Sequence, residues 1–143
     1  MSKFVYPASI EVDTAGFYLV TFPDVPEAGT DAESCEEAID EAPDALIAAL
    51  GGYMQAKQAI PQPSKIKRSQ VSVGLPILVT AKLALYEAMR TGKVTNVELA
   101  RRLGISEGAV RRLVDLDHRS HIGQIETVLA ALGHRLVVDI HAA

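Results

Sequence analysis

The stretch TNVELARRLGISEGAVRRLVD, from Thr95 to Asp115, decides the fold of the C-terminal half. Thr95 and Glu98 have capping-box spacing: the Thr95 hydroxyl can accept the Glu98 amide while the Glu98 carboxylate reaches back. The helix they open runs to about Leu103, where Gly104 can take the left-handed conformation that closes it. Ser106 caps a second helix, from Glu107 to about Val114. Two helices joined so tightly pack only if Leu99, Ala100, Leu103, Ile105, Val110 and Leu113 face inward. Ala100 is small where the helices cross, Gly104 sits in the turn, and Val110 is β-branched in the middle of the second helix. An ordinary amphipathic pair needs no such trio, so the stretch reads as a helix-turn-helix.

That packing leaves Ser106, Glu107, Gly108, Arg111, Arg112 and Asp115 facing outward from the second helix, the one whose N-terminal residues enter the major groove in such motifs. Arg111 and Arg112 can fork onto guanine edges or phosphates. Gly108 allows close backbone approach, and Glu107 can either accept from a cytosine amino group or only oppose non-specific phosphate contact. Lys93, Thr95, Arg101 and Arg102 are placed to hold the phosphate backbone, which fixes register without reading sequence. Double-stranded DNA is the partner this pattern implies.

Outward from the motif, Leu78, Ala81, Leu85 and Met89 share one face of a preceding helix, and Gly92 supplies its stop. A following helix spans Ser120 to Leu132, with Ile122, Ile125, Leu129 and Leu132 inward and Gly133 at its end. Leu136, Val137, Val138, Asp139 and Ile140 then read as a strand. A lone strand leaves unpaired edges. Pairing with the same strand of a second copy would remove them and match a two-fold operator, so these five residues are the expected dimer interface.

The N-terminal half changes period. Phe4, Tyr6, Ala8, Ile10 and Val12 alternate as in a half-buried strand. Asp13-Thr14-Ala15-Gly16 is turn chemistry, and Phe17 to Phe22 is the returning strand, ended by Pro23 and Pro26. A short third strand near Ala28 to Thr30 precedes a helix capped by Asp31 or Ser34, with Ala38, Ile39, Ala42, Leu46 and Leu50 at helical spacing. Pro43 falls inside that helix, where it removes a donor and clashes at a cost of about 3 kcal/mol, so a kink or break is expected there. Lys57 to Gln70 turns polar and reads as a linker, and Val71-Ser72-Val73 suits a returning edge strand. The expectation is an α+β chain in two modules: residues 1–74, with its linker at about 57–70, and residues 75–143.

Composition agrees with a folded chain: 143 residues, 48% hydrophobic and 22% charged. The single cysteine, Cys35, excludes an internal disulfide, and no Cys/His spacing suits a metal; no cofactor is expected. The first ten residues lack signal-peptide character, and the apolar run near Leu75 to Leu85 is broken by Thr80 and Lys82, so a cytosolic protein is expected. Charge divides the chain. Residues 1–63 carry two basic and eleven acidic side chains, net −9, while residues 64–143 carry twelve and seven, net +5. Asp13, Asp24, Glu36, Glu37 and Asp40 could be imagined around metal, but nothing in their spacing demands a two-metal site, and a solvated acidic face explains them more simply. His118 and His121 suit surface or phosphate-contact roles. An enzyme is not expected. A transcription factor with a ligand-sensing N-terminal module is the alternative, though no pocket signature supports it.

Both halves together resemble the HicB antitoxins of bacterial toxin–antitoxin pairs over nearly the whole length. The matching elements are Tyr18-Leu19-Val20-Thr21-Phe22-Pro23-Asp24-Val25-Pro26, Gly29-Thr30, Glu36-Glu37-Ala38, Ala81 to Met89, Glu98 to Gly104 and Arg112 to His118, followed by the Leu129 to Leu136 region. The resemblance implies a partial ribonuclease-H-like N-terminal domain that blocks a small RNA-cleaving HicA toxin, and a C-terminal domain that represses the pair's own promoter. Phe22, Asp24, Glu27, Glu33, Glu36, Glu37 and Asp40 are the expected toxin-facing residues, since an acidic module attracts an RNA-binding, hence basic, partner. Pro43 departs from the family, whose helix there is usually uninterrupted.

Overall fold

The structure is a computed structural model that describes residues 3–142. The chain divides into two compact units, one over Met1–Pro76 and one over Ile77–Ala143.

The first unit is an antiparallel sheet with one long helix. Strands β1 (Tyr6–Val12), β2 (Tyr18–Thr21), β3 (Gly29–Ala32) and β4 (Val71–Val73) lie in the order β3-β2-β1-β4. The β1–β2 turn is built by Asp13, whose Oδ1 accepts from the amides of Ala15 and Phe17, both at 2.9 Å. Gly16 supplies the positive φ of 88° that this turn requires. Phe4, Tyr6 and Ala8 are buried as the alternation requires. The pattern fades at the hairpin end, where Ile10 is half-buried and Val12 is 59% exposed. Pro7 is tolerated within β1 because β1 pairs with β2 only from Ser9 onward, so its missing amide faces no ladder partner.

Helix α1 (Cys35–Gln55) packs on β2 and β3, opened by Ser34, whose Oγ accepts the Glu37 amide at 3.1 Å. Of the kink or break expected at Pro43, the break does not occur; one helix runs through the proline. Ala38, Ala42, Leu46 and Leu50 are buried along one face. Two buried leucines contribute about 1.5–3 kcal/mol each, enough to outweigh one lost hydrogen bond and a proline clash of about 3 kcal/mol. Ile39, expected inward, is 45% exposed on the outer face.

The polar stretch read as a linker belongs to this unit. Ile60 is buried, the Tyr6 hydroxyl donates to the Pro61 carbonyl at 2.7 Å, and Asp24 Oδ2 accepts from Ser64 N and Oγ at 2.8 and 2.9 Å. The backbone polar groups of such a segment need partners, and the sheet side supplies them. Lys65, Lys67 and Arg68 therefore fall in the first unit, and the charges become −6 for it and +2 for the second.

The second unit is helical: α2 (Ile77–Thr91), α3 (Asn96–Leu103), α4 (Glu107–Leu113) and α5 (Ile122–Ala131). Ala81, Leu85, Leu99, Val110, Leu113, Ile125 and Leu129 form its core, with Leu103 partly buried against it. Ile105, expected inward, is 39% exposed in the turn.

Helix α2 ends differently from expectation. The residue that turns left-handed is Lys93, with φ 53°, not Gly92. Gly92 fits a tight spot, because a Cβ there would lie 3.2 Å from the Ala88 carbonyl, which would have to give by a few tenths of an ångström. A left-handed non-glycine residue costs about 1–2 kcal/mol, partly offset by the chain entropy glycine would bring, roughly 0.5–1 kcal/mol. Lys93→Gly should therefore raise the unit's stability by up to about 1 kcal/mol while weakening DNA binding through the lost cation, a pair of opposite changes that a melt and a gel shift read separately.

The expected C-terminal strand is absent within the chain. Leu136 to Ile140 has no ladder partner among the described residues, and Val137, Val138 and Ile140 are 75%, 56% and 90% exposed. A strand exists only through its partner's hydrogen bonds, and a unit made of helices offers none.

Candidate nucleic-acid interface

Two short helices joined by a tight turn present the candidate surface. Thr95 caps α3, its Oγ1 accepting the Glu98 amide at 3.1 Å. Gly104 closes α3 at φ 66°, ψ 32°, and its amide returns toward Ala100 and Arg101. Ser106 opens α4, accepting the Ala109 amide at 3.0 Å. Both hydroxyls keep a proton to donate outward. At seven residues α4 is too short to stand on its own propensity, so its ends and its buried Val110 and Leu113 hold it.

The capping box is only half formed. The Glu98 carboxylate turns away from Thr95 and takes Arg101 Nη2 at 2.7 Å and Arg102 Nε at 2.9 Å. Two cations attract it more than one neutral amide does. Their hydrogen bonds, Arg101 first and Arg102 second, hold the Glu98 carboxyl below the usual carboxylate range. On α4, Arg111 pairs with Glu107 at 3.1 Å. Arg112 has no carboxylate partner among the described residues, and its Nη1 lies over Gly108, 3.6 Å from where a Cβ would stand. Lys93, Arg101, Arg102, Arg111 and Arg112 are all exposed, so the structure places the expected cations on solvent-facing positions around one helix-turn-helix.

One residue of this region escaped sequence reasoning. Lys82 of α2 is fully buried, and its Nζ donates to the carbonyls of Arg112, Asp115 and His118 at 2.9, 2.6 and 2.7 Å and to Ser120 Oγ at 3.0 Å. Burial pulls its ammonium below the usual lysine range, while the Asp115 charge acts the other way. The signal was present: Lys82 lies on the same stripe as Leu78, Leu85 and Met89, where a lysine is out of place unless it has buried acceptors.

The residues expected to face a toxin separate into two groups. Glu33, Glu36, Glu37 and Asp40 are exposed at and before the start of α1. Phe22 is 1% exposed and belongs to the core, because the strand delivers it inward. Asp24 holds Ser64, and Glu27 accepts the Tyr53 hydroxyl at 2.6 Å, a bond that lowers the Glu27 carboxyl and raises the Tyr53 phenol. Asp13 is committed to its turn. Among the described residues no three His, Cys, Asp or Glu side chains come together to hold a metal, and no helix is long and apolar enough to cross a membrane.

Comparison with known proteins agrees with this geometry. Residues 5–84 match the family model described as HicB_like antitoxin of bacterial toxin-antitoxin system, and residues 80–115 match a winged helix-turn-helix DNA-binding model. The second unit carries no strand among the described residues, so the agreement with the latter is in its helices. The chain is 38% identical over 135 residues to Antitoxin HicB 1 of Photorhabdus laumondii, covering 94% of this chain and 86% of that one. It is 34% identical over 131 residues to Antitoxin HicB of Escherichia coli K12, covering 92% and 95%. With Antitoxin HicB of Pseudomonas fluorescens it shares 36% over 121 residues, 84% and 83% of the two chains. A sheet-and-helix unit followed by a DNA-binding helix-turn-helix, matched across both parts, makes this chain a member of the HicB-like antitoxin family.

Proposed function

We propose that the first unit neutralises a small, RNA-cleaving toxin of HicA type and that the second represses the operon encoding the pair by binding its operator. Two copies pair along Leu136 to Ile140 to present two recognition helices. The observation that carries this reading is the presence of two separate cores in one chain, one net negative and one bearing a helix-turn-helix with exposed arginines. An RNA-cleaving protein needs a cationic surface for its substrate, and an acidic partner can occupy that surface.

On α1 the exposed Ile39 lies one turn from the exposed Glu36. An exposed apolar side chain beside an acidic face suits an interface anchor with a polar rim. Ile39→Ala should weaken toxin binding by about tenfold, with stability changed by less than about 0.5 kcal/mol, as titration calorimetry and a thermal melt would show.

The decisive experiment is coexpression with the small basic protein encoded beside this gene. A copurifying complex and relief of growth arrest are expected; neither appearing would remove the antitoxin role. A gel shift on the upstream DNA tests the repressor role separately.

A further inference from the structure

We infer that Lys82 is the positioning residue of the recognition helix: its buried ammonium gathers the end of α4 and the segment after it, and so sets where Arg111 and Arg112 meet DNA. The inference rests on the DNA-binding role of the second unit.

The two helices of the motif end by different means. Helix α3 closes on a left-handed glycine, Gly104, which returns amides to its last carbonyls. Helix α4 has no left-handed residue; its cap, Val114, has φ −104° and ψ 7°, and the amides of Val114 and Asp115 reach Val110 O and Arg112 O only at 3.3 Å each. The last carbonyls of a helix carry partial negative charge and need donors. Lys82 adds a shorter one from a neighbouring helix, reaching Arg112 O at 2.9 Å. It then reaches past the helix to Asp115 O at 2.6 Å and His118 O at 2.7 Å. Ser120 Oγ completes the set, accepting from Lys82 at 3.0 Å and itself donating to Arg112 O at 3.3 Å.

An ammonium has three protons and here meets four acceptors, so every proton is used and none is left for water. A buried lysine is costly where an apolar residue would pack, and Lys82 is 0% exposed within a stripe of apolar neighbours. What the charge provides is direction. Three of its four acceptors are backbone carbonyls, one of the residue that carries a candidate base-reading side chain and two of the loop behind it. The frame of α4 is therefore set from α2, and a displacement of a fraction of an ångström there moves the arginine tips that must fit a groove edge.

The test compares full-length Lys82→Met with the unaltered chain, on a duplex of the DNA upstream of its own gene and on a random duplex. Lys82→Met should lose about tenfold or more on the upstream duplex and change by less than about threefold on the random one, because the cations remain while their placement does not. Amide exchange should quicken from Leu113 to Ser120 and stay slow at Leu85 and Ile125; a merely structural lysine would quicken all of them. Ser120→Ala should bind within about twofold of the unaltered chain, since three carbonyls still take three protons. Equal loss on both duplexes, or exchange quickened throughout the unit, overturns the inference. If the unaltered chain ignores the upstream duplex, the DNA-binding role fails instead. Should Lys82→Met not fold, a Lys82→Cys, Cys35→Ser chain aminoethylated while unfolded decides. Upstream binding within about threefold of Cys35→Ser supports positioning, and a folded aminoethylated chain that binds as weakly as the bare cysteine form refutes it.

Discussion

A chain with both Arg111 and Arg112 replaced by alanine should bind its operator at least thirtyfold more weakly, about 2 kcal/mol or more, because each arginine that reads a base is worth about 1–3 kcal/mol. Both side chains are exposed on α4, one paired with Glu107 and one folded over Gly108. Neither contributes to the core, so the melting of the unit should hardly move. Toxin capture by the first unit should persist, since that unit has its own core. A gel shift and a copurification from the same variant check both halves. An unchanged shift would mean that α4 is not the helix that reads DNA.

Leu46→Ala should have the opposite distribution. Leu46 is 0% exposed where α1 meets the sheet. Truncating such a leucine costs about 3–4 kcal/mol through lost transfer energy and the cavity left behind. For a unit of this size, each kcal/mol is worth about 4–8 °C, so its melting should fall by roughly 12 °C or more. Calorimetry should show one transition moving and another, from the helical unit, staying in place. Leu99→Ala should do the reverse. A single transition that shifts as a whole would show that the two cores do not melt independently.

The helix-turn-helix was legible because packing at close quarters restricts side-chain size at named places. Ala100 and Val110 are buried where the helices pack and leave no room for bulkier residues, while Gly104 is needed for its left-handed backbone, φ 66°, so the spacing of the three carries the fold. The first strand was legible for the same kind of reason at Phe4, Tyr6 and Ala8, where one face is covered. What escaped depended on partners far along the chain. Pro43 breaks a helix considered alone, yet not one fastened by Leu46 and Leu50. Asp24 and Glu27 look like free surface charge until Ser64 and Tyr53, 40 and 26 residues away, are brought to them. Phe22 looks available for a partner until strand register turns it inward. Lys82 looks like an interruption of an apolar run because its acceptors are backbone carbonyls, which have no signature in sequence. Leu136 to Ile140 has the composition of a strand, but composition cannot supply a neighbour.

The paired arginines bear on how this surface would respond to salt. Arg101, Arg102 and Arg111 already hold carboxylates of the protein, Glu98 and Glu107. Each phosphate contact on duplex DNA ordinarily frees a condensed cation from the nucleic acid, giving a logarithmic slope of about −0.9 per contact. An arginine that must first leave an internal carboxylate gives up part of that gain and leaves the carboxylate to recruit a cation from solution. The affinity of this surface should therefore fall less steeply with ionic strength than its number of arginines suggests. Glu98, which binds two of them, should then act as an ionic ballast, lowering non-specific adhesion to DNA without removing a single positive charge.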